Sequence, residues 1–486
     1  TKWYGELIQN GVLWASGRPV RPMLEVAATD EVARFMSQFP GRGDLGDSSG
    51  YRTPREALRL LEHPEDVAVD LVASEPTIFQ PVDAAFDARG RLWVVQYNQF
   101  PYPAGLKVRA YDHHLRATFT HRPDPPPSGV EGADRVTVLS DTTGDGRFDT
   151  ARDVLSGLNI ATSVALGRGG VWVLSPPYLL KYPDPDADGR PEGSPVVHLE
   201  GFGLQDTHSV ANSLTWGPDG WLYGASGSTT IDSVRSAVTP TTVYQGQAIW
   251  RYHPETEVFE VFAEGGGNTF HVTFDRKGRL FSGHNGGRAR AFHYKQGAYY
   301  RKNWGKHGPL TNPYAYGHFD HMSHTGGAER FTHAEIVYDG EALPERYRGR
   351  MLSLNSLQNR MPVSRLKPTG STFETEDVEM LLTTSDGWFR PVDVEVGLDG
   401  AVYVADWYDD RLSHVDPRDT WHRASGRIYR LRERATDPSP PGDLRERTSR
   451  ELAGLLDHPN QAVRRKARLI LGDRKDASVH PRLRRL

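Results

Sequence analysis

The sequence predicts an all-β protein, a six-bladed β-propeller with a small α-helical C-terminal extension. Three observations lead to this prediction. The 486 residues include 49 Gly, 34 Pro, 11 Trp and 20 Tyr, which is typical of turn-rich β proteins. A strand, a turn glycine and a second strand recur along the chain as one aromatic-rich hairpin. The copies lie about 50 to 80 residues apart, the spacing of propeller blades with insertions.

The composition excludes several classes of protein. The net charge is −4 and the sequence pI is about 6.5, so no basic surface for nucleic acid is expected. The chain has no cysteine, which excludes disulfides, thiolate zinc sites and a cysteine nucleophile. Because no run of about 18 apolar residues occurs, we expect no membrane span.

The segment before the repeats has two parts. Residues 1–52 read as irregular and end in a Gly- and Ser-rich linker. Thr53 then opens a short helix to about Leu61, as an N-cap followed by proline and an acidic residue in the first turn. We expect the propeller domain over residues 53–432, with the first repeat strand near Val67.

The recurring hairpins define the blades. Five clear copies begin at residues 81, 161, 212, 271 and 391, and a degraded copy covers residues 335–354. Closure of six hairpins into a ring buries faces that one hairpin leaves exposed. Residues 95–155 contain no copy, so we expect loop insertions there. The predicted turn glycines are Gly90, Gly170, Gly220, Gly278, Gly349 and Gly400.

The C-terminal region reads as a linker and a helical pair. The linker is the proline-rich segment 433–446, and residues 447–486 resemble one HEAT-like pair with helices at 449–456 and 460–471. A single pair is rarely stable alone. We therefore expect it to pack on the propeller, or the natural chain to continue past Leu486.

His208 is the first candidate for catalysis. It follows Asp206 and leads directly into the third hairpin. In a propeller, the loops before inner strands surround the axial funnel, where ligands usually bind. A neutral imidazole there can accept a proton from a substrate hydroxyl, and Asp206 can orient it. A loop histidine bonded only to backbone is the alternative.

Two acidic loops read as cation sites. The stronger has the Asp-x-Asp-x-Asp-Gly start of a calcium loop, and its candidate ligands are Asp184, Asp186 and Asp188. The weaker has a threonine at its third position, and its candidate ligands are Asp141, Asp145 and Asp149. Solvated turns rich in Asp and Gly are the alternative for both.

Other polar side chains are less specific. His318, His321 and His324, with His333 beyond them, have a spacing that zinc or copper accepts, although histidine hydrogen bonding is commoner. Arg390 begins the last hairpin copy. Near the axis it can pair with an anionic carboxylate, or it can form a structural salt bridge.

Four stretches carry a family resemblance. They are residues 71–76 (Leu-Val-Ala-Ser-Glu-Pro), Gly201-Phe-Gly with the His208 segment, Gly267-Asn268, and residues 389–393 (Phe-Arg-Pro-Val-Asp). Over residues 55–475 the chain resembles the six-bladed propeller dehydrogenases that use pyrroloquinoline quinone (PQQ), which act on glucose and other aldoses. Within these it is most similar to the membrane-bound dehydrogenase type that continues into HEAT repeats.

The resemblance implies an activity and a site. His208 would be the general base that takes a sugar or polyol proton while hydride passes to PQQ, and Ca²⁺ would polarise the quinone as a Lewis acid. Asp206 would assist His208, since Ser228 stands where the family has an aspartate. The implied cofactor-binding residues are Asn268, Asn285, Gly286, Trp304, Arg360 and Arg390.

The resemblance also implies partners and a location. The substrate would be a small molecule or oligosaccharide. An external acceptor such as a cytochrome or quinone would take the electrons, and the protein would be periplasmic or secreted. Two alternatives stay open. One is a carbohydrate lyase or hydrolase that uses His208, His271 and His284 with Arg390, and the other is a non-catalytic carbohydrate-binding propeller.

Overall fold

The computed structural model describes residues 50–112, 116–285, 289–302, 317–326, 331–411 and 419–485. The described chain starts with α1 (Pro54–Leu60), β1 (Leu61–Glu62) and β2 (Val67–Ser74). Helix α1 has the predicted Thr53 N-cap, whose side chain accepts the N–H of Glu56 while the Glu56 carboxylate accepts the N–H of Thr53.

Six sheets form the six blades, which confirms the predicted propeller. Blade 1 consists of β3 (Pro81–Phe86), β4 (Leu92–Gln96), β7 (Asp134–Ser140) and β8 (Thr150–Leu158), with the ribbon β5 (Val108–Tyr111) and β6 (Ala117–Phe119) inserted. Blade 2 consists of β9 (Ser163–Gly167), β10 (Gly170–Ser175), β11 (Tyr178–Pro183) and β12 (Val196–Glu200). Blade 3 consists of β13 (Asn212–Trp216), β14 (Leu222–Ser226), β17 (Ala248–His253) and β18 (Val258–Gly266), with the ribbon β15 (Ile231–Val234) and β16 (Thr242–Gln245) inserted.

The other three blades follow in chain order. Blade 4 consists of β19 (Asn268–Phe274), β20 (Leu280–Asn285) and β21 (Phe292–Tyr294), and is followed by the short strands β22 (Tyr299–Lys302), β23 (Ser323–Thr325) and β24 (Phe331–Thr332). Blade 5 consists of β25 (Glu335–Val337), β26 (Met351–Ser353), β27 (Arg360–Thr369) and β28 (Thr372–Thr384), with β1 on its edge. Blade 6 consists of β29 (Pro391–Val396), β30 (Val402–Asp406), β31 (Arg427–Glu433) and the N-terminal strand β2.

The ring is closed by strand exchange between the ends of the propeller. Strand β2 pairs antiparallel with β31, so the last blade takes its outer strand from the start of the chain. The inner strands β3, β9, β13, β19, β25 and β29 contact one another in cyclic order. Second strands such as β4 and β10 are buried along their whole length, because a neighbouring blade packs on each face.

Side chains on the axis fasten neighbouring blades together. Asp393 Oδ2 accepts the backbone N–H of Ala84 at 2.8 Å, which joins blade 6 to blade 1. Asp83 Oδ2 accepts the N–H of Val164 at 2.8 Å, and Asp83 Oδ1 accepts the hydroxyl of Ser163 at 2.8 Å. These bonds join blade 1 to blade 2, so the first steps of the ring are held by buried carboxyl groups.

The turn glycines match the prediction in five blades. Positive φ angles, which favour glycine, occur at Gly90, Gly220, Gly278, Gly349 and Gly400. In blade 2 the prediction is wrong by one residue. There Arg168 and Gly169 have φ angles of 53° and 70°, and Gly170 is the first residue of β10. Adjacent glycines gave the sequence pattern two possible turn positions.

The expectation of loop insertions over residues 95–155 is correct for residues 97–133 and wrong for the rest. This stretch contains the ribbon β5–β6 and the two outer strands of blade 1, β7 and β8. Strand β7 is largely buried, whereas β8 is mostly exposed. Both strands lie farther from the axis than the recurring hairpin, and their sequences lack its aromatic pattern.

The C-terminal segment packs against the glycine turns. It contains α2 (Ser449–Gly454), α3 (Gln461–Arg474) and α4 (His480–Leu483). Leu452 and Val463 share a buried cluster with Ala88 and Leu398 of the propeller. The Asn460 side chain, which caps α3, also donates to the carbonyl of Leu398 at 3.0 Å. Within the described residues, no helix is both long and apolar enough to cross a membrane.

Candidate functional site

Strand direction brings most predicted site residues to one end of the propeller. Each inner strand runs toward its glycine turn, so inner-strand starts lie at the opposite end. His208, Asn268 and Arg390 precede or begin inner strands, Asn285 ends a second strand, and Arg360 begins a third strand. We call this end the His208 face and the opposite end the turn face.

His208 lines a cavity on the axis. The cavity has a volume of about 60 Å³, and His208 itself is half-buried. The cavity is lined in part by Tyr97, Thr207, His208, Asn212, His271, His333 and Asp393. The structure therefore brings the predicted base to the centre of the ring.

Hydrogen bonds fix the backbone that carries His208. Asp206 Oδ1 accepts the backbone N–H of His208 at 3.1 Å, and Asp206 Oδ2 accepts the hydroxyl of Thr229 at 2.6 Å. The Tyr97 hydroxyl donates to the carbonyl of Thr207 at 2.9 Å, and the Thr207 hydroxyl donates to Pro101 O at 2.6 Å. Asp206 thus positions the His208 loop through its backbone.

An aromatic cluster stands beside His208. The ring centroid of His208 lies 5.9 Å from that of Phe100. The Phe100 centroid lies 5.9 Å from that of Trp407 and 4.9 Å from that of Trp421. Phe100 and Trp407 are buried and Trp421 is half-buried, so of these three rings Trp421 has a face on which a sugar or a planar ring can stack. These residues were not predicted from the sequence, although Phe100 and Trp407 each follow closely on a second strand of the recurring hairpin.

Arg390 is a buried cation on the same face. Arg390 is 6% exposed. Burial lowers the pKa of its guanidinium, and the negative charges of Asp406 and Asp409 oppose this shift. One Nη atom donates to the carbonyl of Asp410 at 3.1 Å. Within the described part of the chain, its Nε is buried and has no hydrogen-bond partner. An anionic group is the ligand that this guanidinium suits.

The other predicted cofactor residues differ in their surroundings. Asn268 Oδ1 accepts the N–H of Ser228 at 2.5 Å, so this oxygen holds the turn at residues 227–228. Asn285 pairs with Asn268 across β19 and β20. Arg360 donates to Gln358 Oε1 at 2.8 Å. Gly286 and Trp304 lie outside the described residues.

Buried histidines and acids line the axis below His208. His271 Nε2 lies 3.6 Å from Asp393 Oδ1, and burial lowers the pKa of His271 to about 3. Burial raises the pKa of Asp393, and repulsion from Asp83 raises it further. His284 is fully buried, with its Nε2 2.7 Å from the carbonyl of Ala289. These geometries favour structural roles for His271 and His284.

The predicted histidine series is spread out. His318 is exposed, His321 Nε2 lies 2.9 Å from the carbonyl of Arg301, and His324 Nδ1 lies 2.9 Å from the Thr375 hydroxyl. In the described ranges, the one group of three potential metal ligands is Asp184, Asp186 and Asp188. It lies near the turn face, away from His208.

The comparisons with known proteins give a family and several similar structures. No curated protein matches this chain. It is similar to the PQQ-bound aldose sugar dehydrogenase of Streptomyces coelicolor, with 15% identity, coverage of 76% of this chain and 99% of that chain, and a TM-score of 0.39. It is also similar to the pyranose dehydrogenase PQQ domain of Coprinopsis cinerea, with 12% identity, coverage of 76% of this chain and 97% of that chain, and a TM-score of 0.43. A third similar structure is a luciferin-regenerating enzyme, with 10% identity, coverage of 78% of this chain and 98% of that chain, and a TM-score of 0.41. A family model described as "Domain of unknown function (DUF7133)" matches residues 53–435, and the chain belongs to this family.

Proposed function

We propose that this protein is an oxidoreductase that oxidises a sugar or polyol hydroxyl, with His208 as general base and PQQ as cofactor. The observation that carries the proposal is the position of His208. It lines the axial cavity, lies beside Phe100, and shares its face with Arg360 and Arg390. A proton acceptor, a stacking surface and cations are the groups that such a reaction needs.

The donors on the His208 face fit an anionic quinone. PQQ carries carboxylates, and Arg390 has a buried Nε without a hydrogen-bond partner among the described residues. Arg360 begins β27 on the same face and would be the second cation. Asn285, at the end of β20, would offer a backbone carbonyl to calcium. When bound, PQQ with its calcium supplies the electron acceptor for hydride.

The protein's own part in the reaction is proton transfer and orientation. His208 would accept the proton of the substrate hydroxyl, which increases electron density at the carbon that loses hydride. Asp206 would act as a positioning residue, because its carboxylate holds the His208 backbone and Thr229. Trp421, the half-buried ring of the aromatic cluster, would orient the sugar by stacking.

The remaining parts of the proposal concern partners and location. The chain has no cysteine for covalent haem attachment, so electrons would pass to an external acceptor such as a cytochrome or quinone. We place the protein in the periplasm or outside the cell. A lyase that uses His271 and His284 has less support, because both residues are buried and His284 contacts Ala289 O.

Reconstitution tests this function. The protein is titrated with PQQ in the presence of Ca²⁺, and the quinone absorbance and sugar-dependent dye reduction are followed with aldoses and polyols. We expect saturable binding and reduction of the dye. Absence of PQQ binding at micromolar concentration would contradict the proposal. Growth of ultraviolet absorbance on uronate polysaccharides, without dye reduction, would identify a lyase instead.

A further inference from the structure

We propose that the loop at residues 184–192 binds a divalent cation of the calcium type through Asp184, Asp186 and Asp188, and thereby stiffens the junction between blade 2 and the C-terminal segment. This site is separate from the His208 face. It lies on the connection between β11 and β12, beside residues that hold the C-terminal segment to the propeller.

Three carboxylates of this loop approach one another closely. One oxygen from each of Asp184, Asp186 and Asp188 lies within 4.8 Å of the others. Like charges at this distance repel unless a proton or a cation lies between them. Calcium takes carboxylate oxygens at about 2.3–2.6 Å, so three ligand oxygens around one ion lie within about 5 Å of one another.

One carboxylate oxygen of Asp184 is buried and unsatisfied within the described residues. Asp184 is 5% exposed, and among the described residues its Oδ1 has no hydrogen-bond partner. Its Oδ2 accepts the N–H of Gly189 at 3.1 Å, which fixes the carboxylate. The neighbouring carboxylates of Asp186 and Asp188 repel its charge at this separation. A cation would satisfy Oδ1 and offset this repulsion.

The neighbouring arginines hold the backbone of the loop. Arg89 and Arg91 each donate to the carbonyl of Asp188 at 3.1 Å. Arg445, from the C-terminal segment, donates to the carbonyl of Asp186 at 2.7 Å. These bonds use carbonyl oxygens. They also connect the loop to the C-terminal segment, because Arg89 pairs with Asp443 at 3.0 Å. One carboxylate oxygen of Asp186 accepts the N–H of Asp188 and one of Asp188 accepts the N–H of Arg190, while Arg190 Nε lies 4.0 Å from the other Asp188 oxygen.

Nearby positive charge weakens cation binding, so we expect modest affinity. Sites with few carboxylate ligands bind calcium with a Kd of about 10⁻⁴–10⁻³ M. The loop lines a cavity of about 550 Å³ beside α3, and Asp186 is exposed. The cavity gives an ion and its waters a path to the carboxylates.

The second acidic loop is a natural control. Asp141 accepts the N–H groups of Gly144 at 2.6 Å and Gly146 at 2.8 Å. Asp149 accepts the N–H of Thr142 and of Thr143 at 3.0–3.2 Å. Both carboxylates are therefore engaged by their own loop. Asp184, Asp186 and Asp188 also accept N–H groups of their own loop. The difference is that Asp184 keeps a buried oxygen without a partner in the described residues, and that its three carboxylates converge.

Terbium luminescence tests the site. Trp93 can sensitise Tb³⁺, because it lines the same cavity as Asp184 and Asp186. Without PQQ, we expect saturable Tb³⁺ emission under tryptophan excitation and its displacement by Ca²⁺. Asp186→Asn should weaken the affinity at least tenfold, and Asp145→Asn should leave it unchanged. Asp186 and Asp145 are exposed, so both variants should fold.

The outcomes separate this site from the proposed function. If emission is absent, or if Asp186→Asn and Asp145→Asn bind Tb³⁺ alike, the cation site is refuted. A melting temperature that rises with Ca²⁺ in the wild type and not in Asp186→Asn supports the stiffening role, and an equal rise in both contradicts it. Neither readout requires PQQ or turnover, so failure of the oxidoreductase proposal leaves this test intact.

Discussion

The two ends of the propeller axis carry different kinds of side chains. On the turn face, α3 lies across the inner strands, and Ala462, Arg465 and Leu469 line an axial cavity together with Glu395. On the His208 face, the axis ends at a histidine, an aromatic cluster and a buried arginine. One end is covered by helix packing, and the other carries groups that can bind and react.

The difference shows where sequence change should affect stability and where it should affect activity. Contacts between α2, α3 and the glycine turns are apolar, bonded to backbone carbonyls or paired as ions, as between Arg168 and Asp473, which is typical of structural packing. On the His208 face, Arg390 is buried and its Nε has no hydrogen-bond partner in the described chain. Such groups are common at ligand sites.

The largest expected effect is on the His208 face. His208→Asn removes the proton acceptor and keeps a polar side chain of similar reach, so we expect turnover to fall by about 10²–10⁴-fold. PQQ affinity should change little. Dye-reduction kinetics and quinone titration measure both quantities. His480→Asn, in α4 beyond the turn face, is the control, and equal losses in the two variants would contradict the assignment.

The next effect concerns stability on the turn face. Leu452 is fully buried in α2, against Ala88 and Leu398. Leu452→Ala should lower the free energy of unfolding by about 2–5 kcal/mol through lost burial and a cavity. Urea denaturation measures this change, and turnover per folded molecule should stay the same. Arg450→Ala, an exposed change in the same helix, should cost far less. A large loss of turnover in folded Leu452→Ala would show that the two ends are coupled.

A smaller effect is expected at Arg390. Arg390→Lys keeps the charge and loses the planar guanidinium, which pairs with carboxylates through two bonds. We expect PQQ affinity to fall by about 10–100-fold, the equivalent of a charged hydrogen bond of about 1.5–3 kcal/mol. Equilibrium titration with PQQ measures the change. Unchanged affinity in the folded variant would exclude Arg390 from the cofactor site.

A pH-dependent effect on stability, without a direct effect on turnover, is expected on the axis between the two faces. Burial raises the pKa of Asp83 to about 8, so the folded protein keeps a proton that the unfolded chain releases above about pH 4. Stability from this group is therefore lost as the pH rises toward 8. Asp83→Asn mimics the protonated form, and its stability relative to the wild type should improve between pH 5 and pH 8, by at most about 1.4 kcal/mol per pH unit. If Asp83→Asn and the wild type differ in stability by the same amount at pH 5 and at pH 8, the raised pKa of Asp83 is contradicted.

The blades could be predicted because their inner hairpins repeat one pattern. The outer strands β7 and β8 could not, since they lack that pattern and follow a ribbon insertion. His208 was found from its place before β13. The aromatic cluster of Phe100, Trp407 and Trp421 was not, because these rings come from blades 1 and 6 and meet only when the ring closes. Closure is a long-range event that local sequence does not encode.

The most direct measurement is the absorbance of the PQQ-loaded protein on mixing with sugar, without an external acceptor. We predict that the quinone absorbance of the wild type changes to that of the reduced cofactor in one turnover. The PQQ-loaded His208→Asn protein should show this change at least about 10²-fold more slowly. If PQQ binds and no sugar or polyol changes its absorbance in the wild type, or if His208→Asn reacts at the wild-type rate, the assignment of His208 as base is contradicted.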